Sequence, residues 1–168
     1  DTNSLYLNGE AVDYDCGNYY RYPDKQDWLS KAQLDWLKKD LATTDKRTIL
    51  FSHQYLGDPA FGARNAPALT EILENARDKD GRRKVIACMN GHHHTDGVKI
   101  RKGIYYIYIN GMSFFYMNEC DHRTRFSEEV CEKLPILRET APIADPLFTI
   151  FTLTEDAISC EGCKSSFV

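Results

Sequence analysis

Two short apolar runs frame this chain. Thr48-Ile49-Leu50-Phe51-Ser52 is compact and rich in β-branched and apolar residues, and Val85-Ile86-Ala87-Cys88-Met89 resembles it. Each has the length and density that predict a buried strand. Between them, a loop rich in Gly, Pro and Ala over 56–65 leads to Leu69, Ile72, Leu73 and Ala76 at helical spacing, which predicts a helix over 67–77. Ahead of both runs, Ser30-Lys31-Ala32-Gln33 has the form of a capping box, and Leu29 and Leu34 are placed to staple across it. Leu34, Leu37 and Leu41 then share one face of a helix expected to end near Ala42.

Further strands are expected over 98–101, 104–109 and 112–117, with turns at Gly103 and at Asn110-Gly111, the second a strong hairpin signal. Residues 1–27 read mostly as loop around Ser4-Leu5-Tyr6-Leu7. The stretch 118–145 reads as an irregular excursion holding at most a short helix over 127–133. A final hairpin is expected from 147–153 and 157–160, with 163–168 as a closing edge. The order helix, strand, helix, strand and then several strands predicts an α/β fold whose sheet has a parallel part extended by antiparallel strands.

Composition narrows the class. With 168 residues, 42% hydrophobic and 27% charged, the chain suits one soluble globular domain. A net charge of −4 gives no basic face for nucleic acid. No apolar stretch approaches the roughly 20 residues that span a bilayer, so no membrane partner is expected. The sequence starts at Asp1 without methionine, which leaves both a cytoplasmic and an exported location open. The cysteines at 16, 88, 120, 131, 160 and 163 permit a disulfide framework without requiring one. Cys160-Glu161-Gly162-Cys163 reads as a hairpin turn between cysteines in preference to a zinc or redox site, since one pair supplies half a tetrahedral shell.

The chemistry gathers at Asn90-Gly91-His92-His93-His94-Thr95-Asp96-Gly97. Imidazole is the commonest protein ligand for zinc-type metals, although a histidine tract also suits a solvated loop. Topology favours the metal. The strand–helix–strand unit over 48–89 should cross over right-handed and leave its two strands parallel, as neighbours or one strand apart. His53 directly follows the first strand and His92 lies just beyond the second, so both emerge at the carboxyl end of one sheet, where open α/β sheets bind ligands. Spacing carries His94 to the same place, making His53, His92 and His94 the candidate metal ligands. His93 points away if its neighbours point inward. His122 reads as a surface residue, and the tyrosines between 105 and 116 as core or sheet-face residues.

Three segments carry a resemblance. Gln33-Leu34-Asp35-Trp36-Leu37-Lys38-Lys39-Asp40-Leu41, Ile49-Leu50-Phe51-Ser52-His53 and Asn90-Gly91-His92-His93-His94 resemble, in order and spacing, the calcineurin-like metallophosphoesterases. The strand Gly103-Ile104-Tyr105-Tyr106-Ile107 and the opening Asp1-Thr2-Asn3 also resemble that family's pattern. The resemblance implies a mixed β-sheet sandwich flanked by helices, of αββα type. It further implies hydrolysis of phosphomonoesters or phosphodiesters at a dinuclear site of divalent Mn, Fe or Zn. His53 and His92 would then bind one metal and His94 the other, with Asp96 orienting one of the imidazoles.

The sequence also departs from that family. It contains no Asp-x-His, Gly57-Asp58 follows His53 where the family's Gly-Asp precedes it, and Gly17-Asn18 is followed by Tyr19 where the family has histidine. Residues 1–168 are therefore expected to form the C-terminal part of a single metallophosphoesterase domain. The isolated chain is expected to hold metal weakly, turn over little substrate, and self-associate or pair with the missing N-terminal half. The alternative is a catalytically incomplete fragment acting as a metal-binding or interaction module.

Overall fold

The computed structural model describes residues 26–57, 60, 62–117 and 125–168, together with the backbone of two short strands, β1 (Leu5–Leu7) and β2 (Glu10–Val12), paired antiparallel. Cys16, Cys120 and His122, and most of the expected opening loop, lie outside the described residues. The chain divides into two compact units, one of residues 1–92 and 97–108, the other of residues 93–96 and 109–168.

In the first unit, α1 (Lys31–Thr43) begins where the capping box places it: the Ser30 hydroxyl accepts the Gln33 N–H at 3.2 Å. It is followed by β3 (Thr48–Ser52), α2 (Ala66–Asn75), β4 (Val85–Asn90), β5 (Gly97–Arg101) and β6 (Ile104–Tyr108). The four strands form one sheet in the order β3-β4-β6-β5. β3 and β6 both run parallel to β4, and β5 is antiparallel to β6 at the edge. The expected α/β class and the mixed sheet are therefore present, with β3 and β4 as direct neighbours. β5 and β6 are joined by a two-residue turn in which Lys102 and Gly103 both take positive φ, 45° and 75°, the requirement of a tight hairpin matched to strand twist.

Leu50, Cys88 and Tyr106 align across the sheet on one face, and with Ile104 they pack against Leu37 and Leu41 of α1 and Leu69 and Leu73 of α2. The opposite face carries Ile49, Phe51, Ala87, Met89, Tyr105, Ile107, Val98 and Ile100 in register. An apolar second face is what parallel strands have when they belong inside a layered fold. The tyrosines follow the alternation: Tyr106 is buried, and Tyr105 is exposed on the other face. Burial also pushes the Cys88 thiol up to about 12, so this cysteine behaves as a small core residue.

One polar contact fastens α2 to the β5–β6 turn. Glu74, only 8% exposed, pairs with Arg101 Nε at 2.8 Å and Lys102 Nζ at 2.7 Å. The hydrogen bond from Lys102 is the main cause of its carboxyl lying below the usual carboxylate range; burial opposes the shift, and the charges of Arg101 and Lys102 add to it. A depressed folded value makes this contribution to stability fully present above the unfolded value, and lost as pH falls through the folded one. Urea unfolding followed between about pH 6 and pH 3 should therefore show a loss of stability that is shallower in Glu74→Gln. Parallel curves for the two proteins would refute the linkage.

The second unit contains β7 (Phe114–Tyr116), α3 (Glu128–Lys133), a 3₁₀ turn (Pro135–Glu139), β8 (Thr140–Pro142), β9 (Thr149–Leu153) and β10 (Ile158–Gly162). α3 lies within the short helix expected there, and its Cys131 is buried. Four expectations need correction. Asn110-Gly111 forms no hairpin, because β6 pairs with β4 and β5 while β7 pairs with β8. Part of the stretch expected to be irregular supplies β8. Glu161-Gly162 lies at the end of β10, and the β9–β10 turn is closed earlier, by Thr154 N–H donating to Ala157 O. The 163–168 segment contributes a single bridge, Phe167 to Ile143, in place of a strand.

Candidate metal centre

His53 leaves the end of β3 in a tight turn: the Ser52 hydroxyl donates to Gln54 O at 2.7 Å, and the buried Gln54 side chain donates to Asp27 Oδ1 at 2.8 Å. β4 ends at Asn90, opposite Ser52 in the parallel register, and Gly91 carries the chain to His92. Because the two strands are parallel neighbours about 4.8 Å apart, the two turns deliver their side chains to one spot. His92 Nδ1 lies 3.1 Å from His53 Nε2, with the rings at 81°. Both residues are exposed to solvent.

That spacing can be tested against a cation. Two nitrogens each about 2.1 Å from one zinc-type ion lie about 3.0–3.4 Å apart over right-angled to tetrahedral geometries. The observed 3.1 Å is the length of a hydrogen bond between the two rings and also falls inside this interval, so the pair is compatible with one metal. Beside it, Asn90 is 3% exposed and, among the described residues, its Oδ1 has no hydrogen-bond partner, a buried acceptor of the kind that calls for a donor or a cation.

The turn is strained where it carries the imidazoles. His92 has φ 73° and His94 has φ 51°. A left-handed backbone costs a residue with a Cβ about 1 kcal/mol or more, and such costs persist mainly at functional sites.

His94 belongs to the second unit. Its Nδ1 lies 2.7 Å from Phe114 O, and its ring packs at 4.4 Å from Phe114 and 4.8 Å from Tyr116 between centroids. Asp96 Oδ1 accepts the Asn110 N–H at 3.0 Å and, among the described residues, is bonded to no imidazole. His93 is half-buried.

Sequence reasoning thus found the residues that meet, His53 and His92, and missed the Phe114 carbonyl and Gly111, whose parts are backbone and carry no side-chain signal. Among the described residues, no cluster of three or more His, Cys, Asp or Glu is placed to hold a metal. Cys88, Cys131, Cys160 and Cys163 are free thiols. Cys163 Sγ accepts the Phe148 N–H at 3.1 Å and donates to Pro146 O at 3.5 Å, a satisfied thiol in a loop contact.

Cavities flank the first unit's helices. One of about 470 Å³ is lined by Trp36, Phe51, His53 and Leu69, among others, and so reaches one of the paired imidazoles. Another, about 590 Å³ between α1 and α2, contains none of the candidate imidazoles. Among the described residues, no helix is long and apolar enough to cross a membrane.

No protein-family model matches the chain, and no curated protein matches it. A solved structure described as a dimetal phosphatase from Danio rerio is similar to it at 25% identity and a TM-score of 0.45, over 64% of this chain and 34% of that one. The chain thus spans about a third of the length of that structure, and a likeness at this level assigns no activity by itself.

Proposed function

We propose that this chain is the C-terminal part of a metal-dependent phosphoester hydrolase domain, a β-sheet sandwich flanked by helices. His53 and His92 hold one divalent transition metal, and His94 serves the second. The observation that carries this reading is the meeting of His53 and His92 at 3.1 Å from the ends of two adjacent parallel strands. The strand-end histidine and the Gly-His-x-His turn, in that order, support it from the sequence. When bound, such metals supply Lewis-acid polarisation of a phosphoryl group and an acidified water. The residues present do the positioning: imidazoles presented from strand ends, with His92 and His94 on a turn whose backbone is left-handed. The substrate would be a phosphoester, and the upstream half would contribute the remaining ligands.

A second reading rests on one observation: among the described residues no carboxylate joins the imidazole pair. On that reading the chain is a catalytically incomplete metal-binding or interaction module.

One experiment separates the two. The chain is loaded with Mn²⁺ and assayed on an aryl phosphodiester, alone and together with the upstream polypeptide. Little turnover alone and metal-dependent turnover with the upstream part supports the hydrolase. Metal binding without turnover in either state supports the module. Robust turnover that survives His92→Ala would sink the site assignment.

A further inference from the structure

Four groups in the second unit converge on His94, and none of them is a metal-ligand candidate in its own right. A carbonyl oxygen has no proton to give, so the 2.7 Å contact between His94 Nδ1 and Phe114 O requires Nδ1 to be the protonated nitrogen. In the neutral ring Nε2 is then the lone-pair atom. Gly111 lies against the same edge of the ring: a Cβ built on it would stand 2.3 Å from His94 Nδ1 and 2.7 Å from Cγ. No other residue fits there without turning the imidazole away from the carbonyl. The loop carrying Gly111 is fixed in turn by Asp96, whose Oδ1 accepts the Asn110 N–H at 3.0 Å, and by Asn110 Oδ1, which accepts the Gly111 N–H at 2.8 Å. The Phe114 and Tyr116 rings pack against the imidazole at 4.4 and 4.8 Å between centroids, and His94 stays half-buried.

We infer that Gly111 and Asp96 are positioning residues for His94: they seat its ring so that Nδ1 is tied to the Phe114 carbonyl and Nε2 is the nitrogen left to bind a metal. The inference rests on the reading of His94 as a ligand. It adds an atom-level choice and names the residues that enforce it. Asp96 acts at one remove, through the Asn110-Gly111 backbone, and makes no direct contact with the imidazole.

The test uses the whole chain with ¹⁵N-labelled histidine. Long-range ¹H–¹⁵N correlations of the metal-free protein report which ring nitrogen of His94 carries the proton, and calorimetric titration with Zn²⁺ gives the affinity. In the parent chain His94 should be the Nδ1–H tautomer. Gly111→Ala should populate the Nε2–H form and, in the chain paired with the upstream polypeptide, weaken binding of the second Zn²⁺ about 10- to 100-fold, the usual cost of disturbing a ligand's outer partner. Asp96→Ala should act in the same direction, and Asp96→Asn, which keeps an Oδ1 acceptor, should restore both readouts. This pair keeps the test open should the Gly111 variant fail to fold. An Nε2–H tautomer in the parent chain would overturn the inference, as would parent-like tautomers in both Gly111→Ala and Asp96→Ala. If His94→Ala binds Zn²⁺ like the parent while the tautomer still shifts in Gly111→Ala, the metal reading of His94 fails and the positioning stands.

Discussion

Metal binding by the His92→Ala chain is expected to fall by on the order of 100-fold or more in a calorimetric titration with Zn²⁺, beyond the cost of losing an outer partner. The reason is geometric. His53 Nε2 and His92 Nδ1 are 3.1 Å apart, the separation two ligands of one cation adopt, and removing either leaves a single solvent-exposed imidazole. His53→Ala should behave alike, because both side chains contribute one nitrogen to the same spot. His93→Ala should retain the parent affinity, since the residue lies outside the pair. An unchanged dissociation constant in His92→Ala would remove the pair from consideration as a metal site. Circular dichroism should show the variant folded, because alanine at an exposed turn takes away no core contact.

The largest effect on stability is expected at Leu73. It is fully buried in α2, in one core cluster with Leu69, Val85, Cys88 and Tyr106 of the first unit. Truncation removes apolar area from the core and leaves a cavity that a helix packed on a sheet closes only in part. Leu73→Ala should therefore cost about 2–5 kcal/mol in denaturant unfolding. Trp36, 64% exposed on α1, should cost far less when replaced by alanine despite its size. A cost below about 1 kcal/mol at Leu73 would mean that the core is not packed around it.

The parts of the fold legible in the sequence were those written in local pattern. Ser30 with Gln33 marked the start of α1, and the dense runs at 48–52 and 85–89 marked two strands. A strand–helix–strand unit admits few arrangements, so topology then brought His53 and His92 together from 39 residues apart. What escaped was non-local. Phe114–Tyr116 pairs with Thr140–Pro142, and nothing in either tripeptide names the other as its partner. Asn110-Gly111 has hairpin composition, but its glycine is there because the His94 ring occupies the space of a side chain. The Phe114 carbonyl that orients that ring is backbone, and every residue has one.

The left-handed backbone at His92 and His94 has a consequence for selection. Glycine adopts this conformation without the steric cost that a Cβ brings, so if folding were the only criterion both positions would favour it. A library of this turn sorted for thermal tolerance would drift toward glycine at 92 and 94 and lose its imidazoles, whereas one sorted for zinc retention would keep the strained histidines. At these two positions the chain gives up thermal robustness and keeps imidazoles.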